Sequence, residues 1–245
     1  MRFHSAVVDN NTRHTLRFPW SNTSWINGFP ISGGDDLNPV RVRQRLSPSN
    51  CVSYLVRSTT YNFEDISSTG TQILAGSGSG VALANVGFSF LLFDTTFSSV
   101  CISVEGHIGI PSGTSCTNRT FGSSNVSFFR GSAYAPDVPV VAPLWNDWTF
   151  ATADDDAAYY QNISGRFIIQ WNQACPPSGC GGDPITFQMK LFDSDDHIEF
   201  HYSDTETEST TTNGLSATVG LRDTNSEAEC TTLGTPRFCQ FDCTT

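Results

Sequence analysis

Lysine is almost missing from this chain: Lys190 is the only one. All charged residues together make up 15% of the 245, well under the roughly 25% usual in soluble domains. Basic charge is especially short, with 13 Lys+Arg against 24 Asp+Glu, a net charge of -11 and a pI near 4.6. Such a chain has nothing with which to neutralise phosphates, which argues against nucleic acid as a partner and disfavours anionic membranes. Long apolar runs are missing too. The most apolar stretch, Val81 to Phe93, is interrupted by Asn85, Gly87 and Ser89 and is too short to span a bilayer, so no membrane insertion is expected. Met1-Arg2-Phe3-His4 leads into Asp9-Asn10-Asn11 without the apolar core of a secretory leader. No CxxC pair occurs, which removes the zinc-ribbon and thioredoxin spacings.

Polarity is supplied instead by hydroxyls, Ser and Thr reaching about 23% of the chain. The eight cysteines are an even number and read as disulfides in an oxidising compartment, extracellular or at a cell surface. Eight cysteines allow 105 pairings, so only local ones can be suggested. Cys175 and Cys180 bracket a Pro-Pro-Ser-Gly turn, and Cys101 and Cys116 flank another. Cys51 is then left for one of Cys230, Cys239 and Cys243.

Helical periodicity is scarce, while alternation and turn residues recur throughout. Strands are expected at Val86–Phe93, Val100–Val104, Ser127–Arg130, Ala157–Gln161, Phe167–Trp171, Thr186–Phe192, Ile198–Tyr202 and Ala217–Leu221. Strands at this spacing with no helices between them give an all-β chain, an antiparallel β-sandwich of jelly-roll-like type. An extended N-terminal arm precedes it. Through Arg57 the chain carries a net +4, and from Ser58 onward a net -15. Within the arm, Val40 to Leu46 alternates apolar residues with Arg41, Arg43 and Arg45, a half-buried strand with a cationic face. Phe3–Val8 and Thr15–Phe18 are further extended candidates. Residues 1–60 are therefore assigned to the arm and 61–245 to the sandwich with a Cys-rich tail.

From Tyr61 to Asp223 the order of signals is distinctive. Tyr61-Asn62-Phe63 is followed by Val86-Gly87-Phe88-Ser89-Phe90, then Phe97 to Ile108 with Glu105-Gly106, then Val141-Ala142-Pro143-Leu144-Trp145-Asn146-Asp147-Trp148. Tyr159-Tyr160, Arg166–Trp171, Thr186-Phe187-Gln188, Ile198–Tyr202 and Ala217–Leu221 close it. This order resembles the nidogen-like β-sandwich modules of extracellular and cell-surface proteins, with Ala-Pro-Leu-Trp-Asn-Asp the most specific piece. The resemblance implies a non-catalytic adhesion or assembly module. Two departures stand out: Glu105-Gly106 replaces the family's Asn-Gly turn, and the cysteines lie outside the pattern.

Candidate chemistry is sparse. His197, Glu199 and His201 would share one face of a strand about 7 Å apart, but a zincin needs Glu directly after the first His on a helix, so a surface-facing strand is the default. Asp35-Asp36, Asp154-Asp155-Asp156 and Asp193-Ser194-Asp195-Asp196 are acidic loops, of which Asp154 and Asp156 are the Ca²⁺ candidates. Gly76-Ser77-Gly78-Ser79-Gly80 lacks the strand-to-helix setting of a nucleophile elbow and lacks a P-loop lysine. Glu105 and Glu199 are the carboxylates to check for glycoside hydrolysis. Trp145, Trp148 and Trp171 read as core. Trp20 and Trp25 are left for docking or sugar stacking. Sequons stand at Asn10, Asn22, Asn118, Asn125 and Asn162. The expected protein is thus non-enzymatic, with no cofactor beyond calcium. Its expected partners are other copies of itself, with glycans or surface proteins as alternatives, and the arm (Trp20, Trp25, Arg41, Arg43, Arg45) docks head to tail on a neighbour to build a filament. A carbohydrate-binding or adhesion module is the runner-up, and a secreted hydrolase the third reading.

Overall fold

The computed structural model describes residues 24–26, 29–31, 40–46, 52–93, 95–116, 139–151, 156–179, 184–203 and 217–222. At 24–26, 29–31, 40, 42–46, 52–58, 218 and 222 the description is of the backbone. The strand candidates Phe3–Val8, Thr15–Phe18 and Ser127–Arg130 lie outside these residues.

The described elements are all strands: β1 (Ser24–Ile26), β2 (Phe29–Ile31), β3 (Val40–Leu46), β4 (Val52–Ser58), β5 (Thr71–Ile73), β6 (Val81–Leu92), β7 (Thr95–Ser103), β8 (Ile108–Gly109), β9 (Val140–Trp145), β10 (Thr149–Phe150), β11 (Ala157–Ile163), β12 (Arg166–Cys175), β13 (Ile185–Phe192), β14 (Ile198–Tyr202) and β15 (Thr218–Arg222). They form a large sheet in the order β4-β3-β14-β13-β12-β11-β5, with β10 also on β12, and a small sheet in the order β15-β9-β8-β7-β6. β1 and β2 make a separate hairpin. Every pairing is antiparallel, and the two sheets pack face to face as the sandwich expected from the strand spacing.

The sheet does not stop at residue 60. β3 and β4 pair along their whole length, and β3 continues the large sheet by pairing Val40, Arg41 and Val42 with Phe200, Glu199 and Ile198. Residues 40–58, assigned above to the arm, therefore belong to the sheet. The physical reason is the edge of β14, whose main-chain groups need partners, and the period-2 pattern of Val40–Leu46 supplies them in the same chain.

Period 2 also decides the core. One row across the large sheet is Phe200, Met189, Ile169 and Tyr160, and the next is Tyr202, Phe187, Trp171 and Ala158. These face the small sheet's Val86, Phe90, Val100, Ile102, Val141 and Leu144 in one buried cluster. Trp171 and Phe187 stack at 5.0 Å. Burying each of these large side chains contributes roughly 1.5–3 kcal/mol. Hydrogen bonds also cross from sheet to sheet: Trp171 Nε1 donates to Ser103 O at 2.8 Å, Tyr202 Oη to Pro143 O at 2.7 Å, and the Asn162 amide to Val86 O. Trp148 Nε1 ties its own turn to Leu144 O at 2.8 Å. All three core tryptophans are buried, as their positions in the sequence suggested.

The turn Val104–His107 between β7 and β8 brings the main chain close to β9. Gly106 has φ +77°, and a Cβ there would lie 2.1 Å from Leu144 O and 3.1 Å from the Phe187 ring. We expect Gly106→Ala to cost on the order of 3 kcal/mol from backbone strain alone, with the clash added. Urea unfolding checks this, and a loss under 1 kcal/mol would show that the turn relaxes freely.

Candidate functional site

The outer face of the large sheet is polar, and it is covered. Its cross-strand rows are Arg41-Glu199-Lys190-Ile168-Gln161 and His201-Gln188-Gln170-Tyr159. Over them runs an extended strap, residues 61–66, held at alternate positions by side chains from three successive strands. Asn62 N–H donates to His201 Nδ1 at 3.4 Å, and Asn62 O accepts from Lys190 Nζ. Glu64 N–H donates to Gln188 Oε1 at 3.2 Å, and Glu64 O accepts from Gln188 Nε2 at 2.5 Å, so one amide grips both main-chain groups. Ile66 N–H donates to Gln170 Oε1 at 2.9 Å, and Gln170 Nε2 donates to Asp65 Oδ1 at 2.9 Å. Ile66 drops into a small apolar cluster with Ala157, Tyr159 and Ile168. The chain then turns back, with Thr69 and Gly70 N–H on Ile66 O.

Charge fixes the register of the strap. Lys190 is fully buried and pairs with Glu64 Oε1 at 2.6 Å, while Arg166 forks onto the same carboxylate. Burial alone would raise the Glu64 carboxyl, but the hydrogen bonds and charges of Arg166 and Lys190 outweigh it and hold it below the usual range. Burial pulls the Lys190 ammonium down, against the pull of Glu64.

At the β3 end, Glu199 gathers the neighbouring polar groups. It accepts from Arg41 Nε at 2.8 Å and Nη2 at 2.6 Å, meets His201 Nε2 at 3.0 Å and His197 Nε2 at 3.5 Å, and Thr59 Oγ1 donates to it at 3.3 Å. Burial would raise its pKa, yet hydrogen bonds from His197, His201 and Arg41, with the Arg41 charge, hold it far below the ordinary carboxylate range. His197 also pairs with Asp195 and stacks on Phe192. Thus His197, Glu199 and His201 do share a face, but that face is buried under the strap rather than surface-facing. Among the described residues no group of His, Cys, Asp and Glu is arranged to hold a metal ion.

A second polar locus lies in the small sheet. Glu105 is buried at 2% exposure, accepts from Trp148 N–H at 3.0 Å and has Asp147 nearby. Burial pushes its carboxyl up to about 8, the Trp148 hydrogen bond resists, and Asp147 adds to the rise. His107, fully buried against the Trp145 ring, is pushed down to about 3 by burial. Glu105 and Glu199 sit in different sheets with no shared partner, one neutral at pH 7 and the other locked to Arg41. They do not form the convergent acid and base that glycoside hydrolysis requires.

Cys101 and Cys116 form a disulfide. Cys175 is disulfide-bonded to a cysteine outside the described residues. Cys51, Cys180, Cys230, Cys239, Cys243, Asp154, Trp20 and the sequons at Asn10, Asn22, Asn118 and Asn125 lie outside them too, as do the side chains of Trp25, Arg43 and Arg45. Asp156 contributes its carbonyl to Gly76 N–H. Asn162 works as an inter-sheet staple over Gly87, where a Cβ would sit 1.6 Å from its Nδ2.

The geometry so far defines a class: an antiparallel β-sandwich whose ionisable groups hold its own chain together. Residues 53–239 match the NIDO-related family, and the chain belongs to that family. No curated protein and no solved structure matches it significantly.

Two predictions follow from the charges. Glu64→Gln leaves Lys190 buried without its countercharge and should cost about 3 kcal/mol. Amide exchange at Asn62, Glu64 and Ile66 should rise together, and unchanged protection there would mean that the strap does not depend on the pair. The pH dependence has a sign on each side. Glu105, raised from 4.5 to about 8, stabilises the fold fully below pH 4.5 and loses that contribution as pH rises to 8. His107, lowered from 6.5 to about 3, stabilises above pH 6.5 and loses that contribution as pH falls to 3. Between 4.5 and 6.5 the two slopes cancel, so stability should be greatest in that window. Glu105→Gln should remove the net loss that the protein shows between pH 5.5 and 8.5, about 2 kcal/mol after the opposing His107 contribution, in urea titrations at those two pH values.

Proposed function

We propose that this chain is a non-enzymatic, extracellular structural and adhesive module that assembles with copies of itself through its N-terminal region. The observation that carries the reading is the NIDO-related match over residues 53–239, a family of extracellular protein-interaction type. The disulfide Cys101–Cys116 supports an oxidising compartment. The ionisable groups add support: Lys190, Glu64, Arg166, Glu199 and His201 are engaged in holding residues 59–66, not aimed at a cleft. The basic start of the chain, net +4 against -15 for the rest, favours head-to-tail contact between copies. Negative-stain electron microscopy of the full chain tests assembly: regular filaments or sheets are expected, and uniform single particles at every concentration would overturn it.

One observation favours a second reading, a carbohydrate-binding module. Tyr61 is 53% exposed and its ring lies within 17° of parallel to that of Phe63, 6.4 Å away, a small aromatic platform on the strap. A glycan array with the protein and Tyr61→Ala checks it: signals lost in the variant would favour sugar binding, and an array blank with both would remove that reading.

A further inference from the structure

We propose that the outer face of the large sheet is a receptor for an extended segment, and that in the assembled protein its occupant is residues 40–66 of a second copy. The inference rests on the self-assembly reading above and names the surface through which it works.

The strap is recognised mainly through its main chain. His201, Lys190, Gln188 and Gln170 hold the N–H and C=O groups of Asn62, Glu64 and Ile66, and Gln188 takes both groups of Glu64. Recognition of this kind is indifferent to which copy supplies the segment. Two side chains set the register, Glu64 between Lys190 and Arg166, and Ile66 among Ala157, Tyr159 and Ile168. A second copy carries the same register marks.

What lies under the strap is mostly polar, apart from the small cluster that receives Ile66. Lys190, Gln188, Gln170, His201 and Glu199 would be solvated if uncovered, whereas the main apolar cluster lies on the opposite face of the sheet and contains none of residues 59–66. Lifting the strap therefore opens a largely wettable face and the small Ile66 cluster, but leaves the main core closed. The segment before it is a self-paired hairpin, β3 with β4 over seven residue pairs, joined to β14 by only three. The β3–β4 hairpin and the strap thus form one unit, fastened by an edge and a mainly polar face. When it leaves, the β14 edge presents unpaired main-chain groups that the β3 of another copy satisfies in the same register. The turn Ile66–Gly70, closed by hydrogen bonds from Thr69 and Gly70 N–H to Ile66 O, is the segment that would extend. Exchange without closure propagates into a chain of copies.

Lys190, as the only lysine, makes the test specific. Isotopically heavy and normal full-length protein are mixed under assembling conditions and treated with a carbodiimide, which joins the Glu64 carboxyl to the Lys190 amine with loss of water. Peptide pairs linking Glu64 of one isotope to Lys190 of the other, as frequent as same-isotope pairs, are expected. Oligomers in which every such pair is of one isotope would overturn the exchange and leave self-assembly standing. Monomers alone at all concentrations would overturn both. An independent arm uses Glu64→Lys and Lys190→Glu, each of which repels its own strap. Mixed, they restore the native pairing in trans, and native mass spectrometry should show at least tenfold more mixed than same-variant dimer. If Lys190→Glu does not fold, Gln188→Ala with wild type takes its place and should yield severalfold fewer mixed dimers than wild type with itself. Mixtures that give only the sum of the separate spectra, or Gln188→Ala mixing as well as wild type, would count against the exchange.

Discussion

The buried ion pair between Lys190 and Glu64, with Arg166 on the same carboxylate, is the contact on which the organisation of the outer face turns. An ammonium with no exposed surface in the middle of a sheet is costly to desolvate, and it persists only where a countercharge and acceptors meet it. Glu64 and Asn62 supply both, which requires residues 61–66 to lie across the sheet rather than leave it. Once they lie there, the amides of Gln188 and Gln170 and the ring of His201 find main-chain partners. Ile66 is delivered to its apolar cluster, and the β3–β4 hairpin is brought to the β14 edge. A lysine confined to this one position is thus a structural residue, not a surface charge.

The opposite face follows a different logic. There the sheets are held by apolar packing, and among the polar crossings are three side-chain donors that reach carbonyls: Trp171 to Ser103, Tyr202 to Pro143, Asn162 to Val86. Pro143 interrupts the regular ladder of β9, and the Tyr202 hydroxyl uses the carbonyl left there. Glu105 is the exception, an acid buried at the joint of β7, β8 and the Trp148 turn. It is tolerated because burial keeps it neutral and Trp148 N–H needs an acceptor. This makes the turn between β7 and β8 sensitive to alkaline pH through Glu105 and to acid through His107, while the outer face, built on carboxylates held ionised, adds a further sensitivity to acid.

Much of the fold was legible in the sequence because alternation is local. Ile198–Tyr202 was read to the residue, and β12 and β13 within their ends, since Phe, Ile, Trp and Met at every second position leave no other face for the core. The extended character of Val40–Leu46 was legible for the same reason, but its place in the large sheet was not, because a strand's partner is a long-range matter. His197, Glu199 and His201 were correctly placed on one face and incorrectly placed on the surface. Nothing near them in sequence announces that residues 59–66, more than 130 positions away, cover them. Glu105 stood out as a departure from the expected Asn-Gly turn and as a carboxylate to check for hydrolysis, with no sign of its depth.

By itself the sequence determined the composition of each face: hydroxyl-rich turns, period-2 strands, an acidic body with a single lysine, a cysteine pair bracketing a turn, and the NIDO-related order of signals. These are properties of neighbours along the chain, and strand geometry converts them directly into an antiparallel sandwich. Only the tertiary structure decided which polar residues would be partners. Lys190 meets Glu64, Arg41 meets Glu199 and Trp171 meets Ser103 across 126, 158 and 68 positions, where sheet order and not spacing sets the distance. Burial acts at that level too, for a carboxyl is driven neutral at Glu105 and held ionised at Glu199 by surroundings that no single stretch of sequence contains.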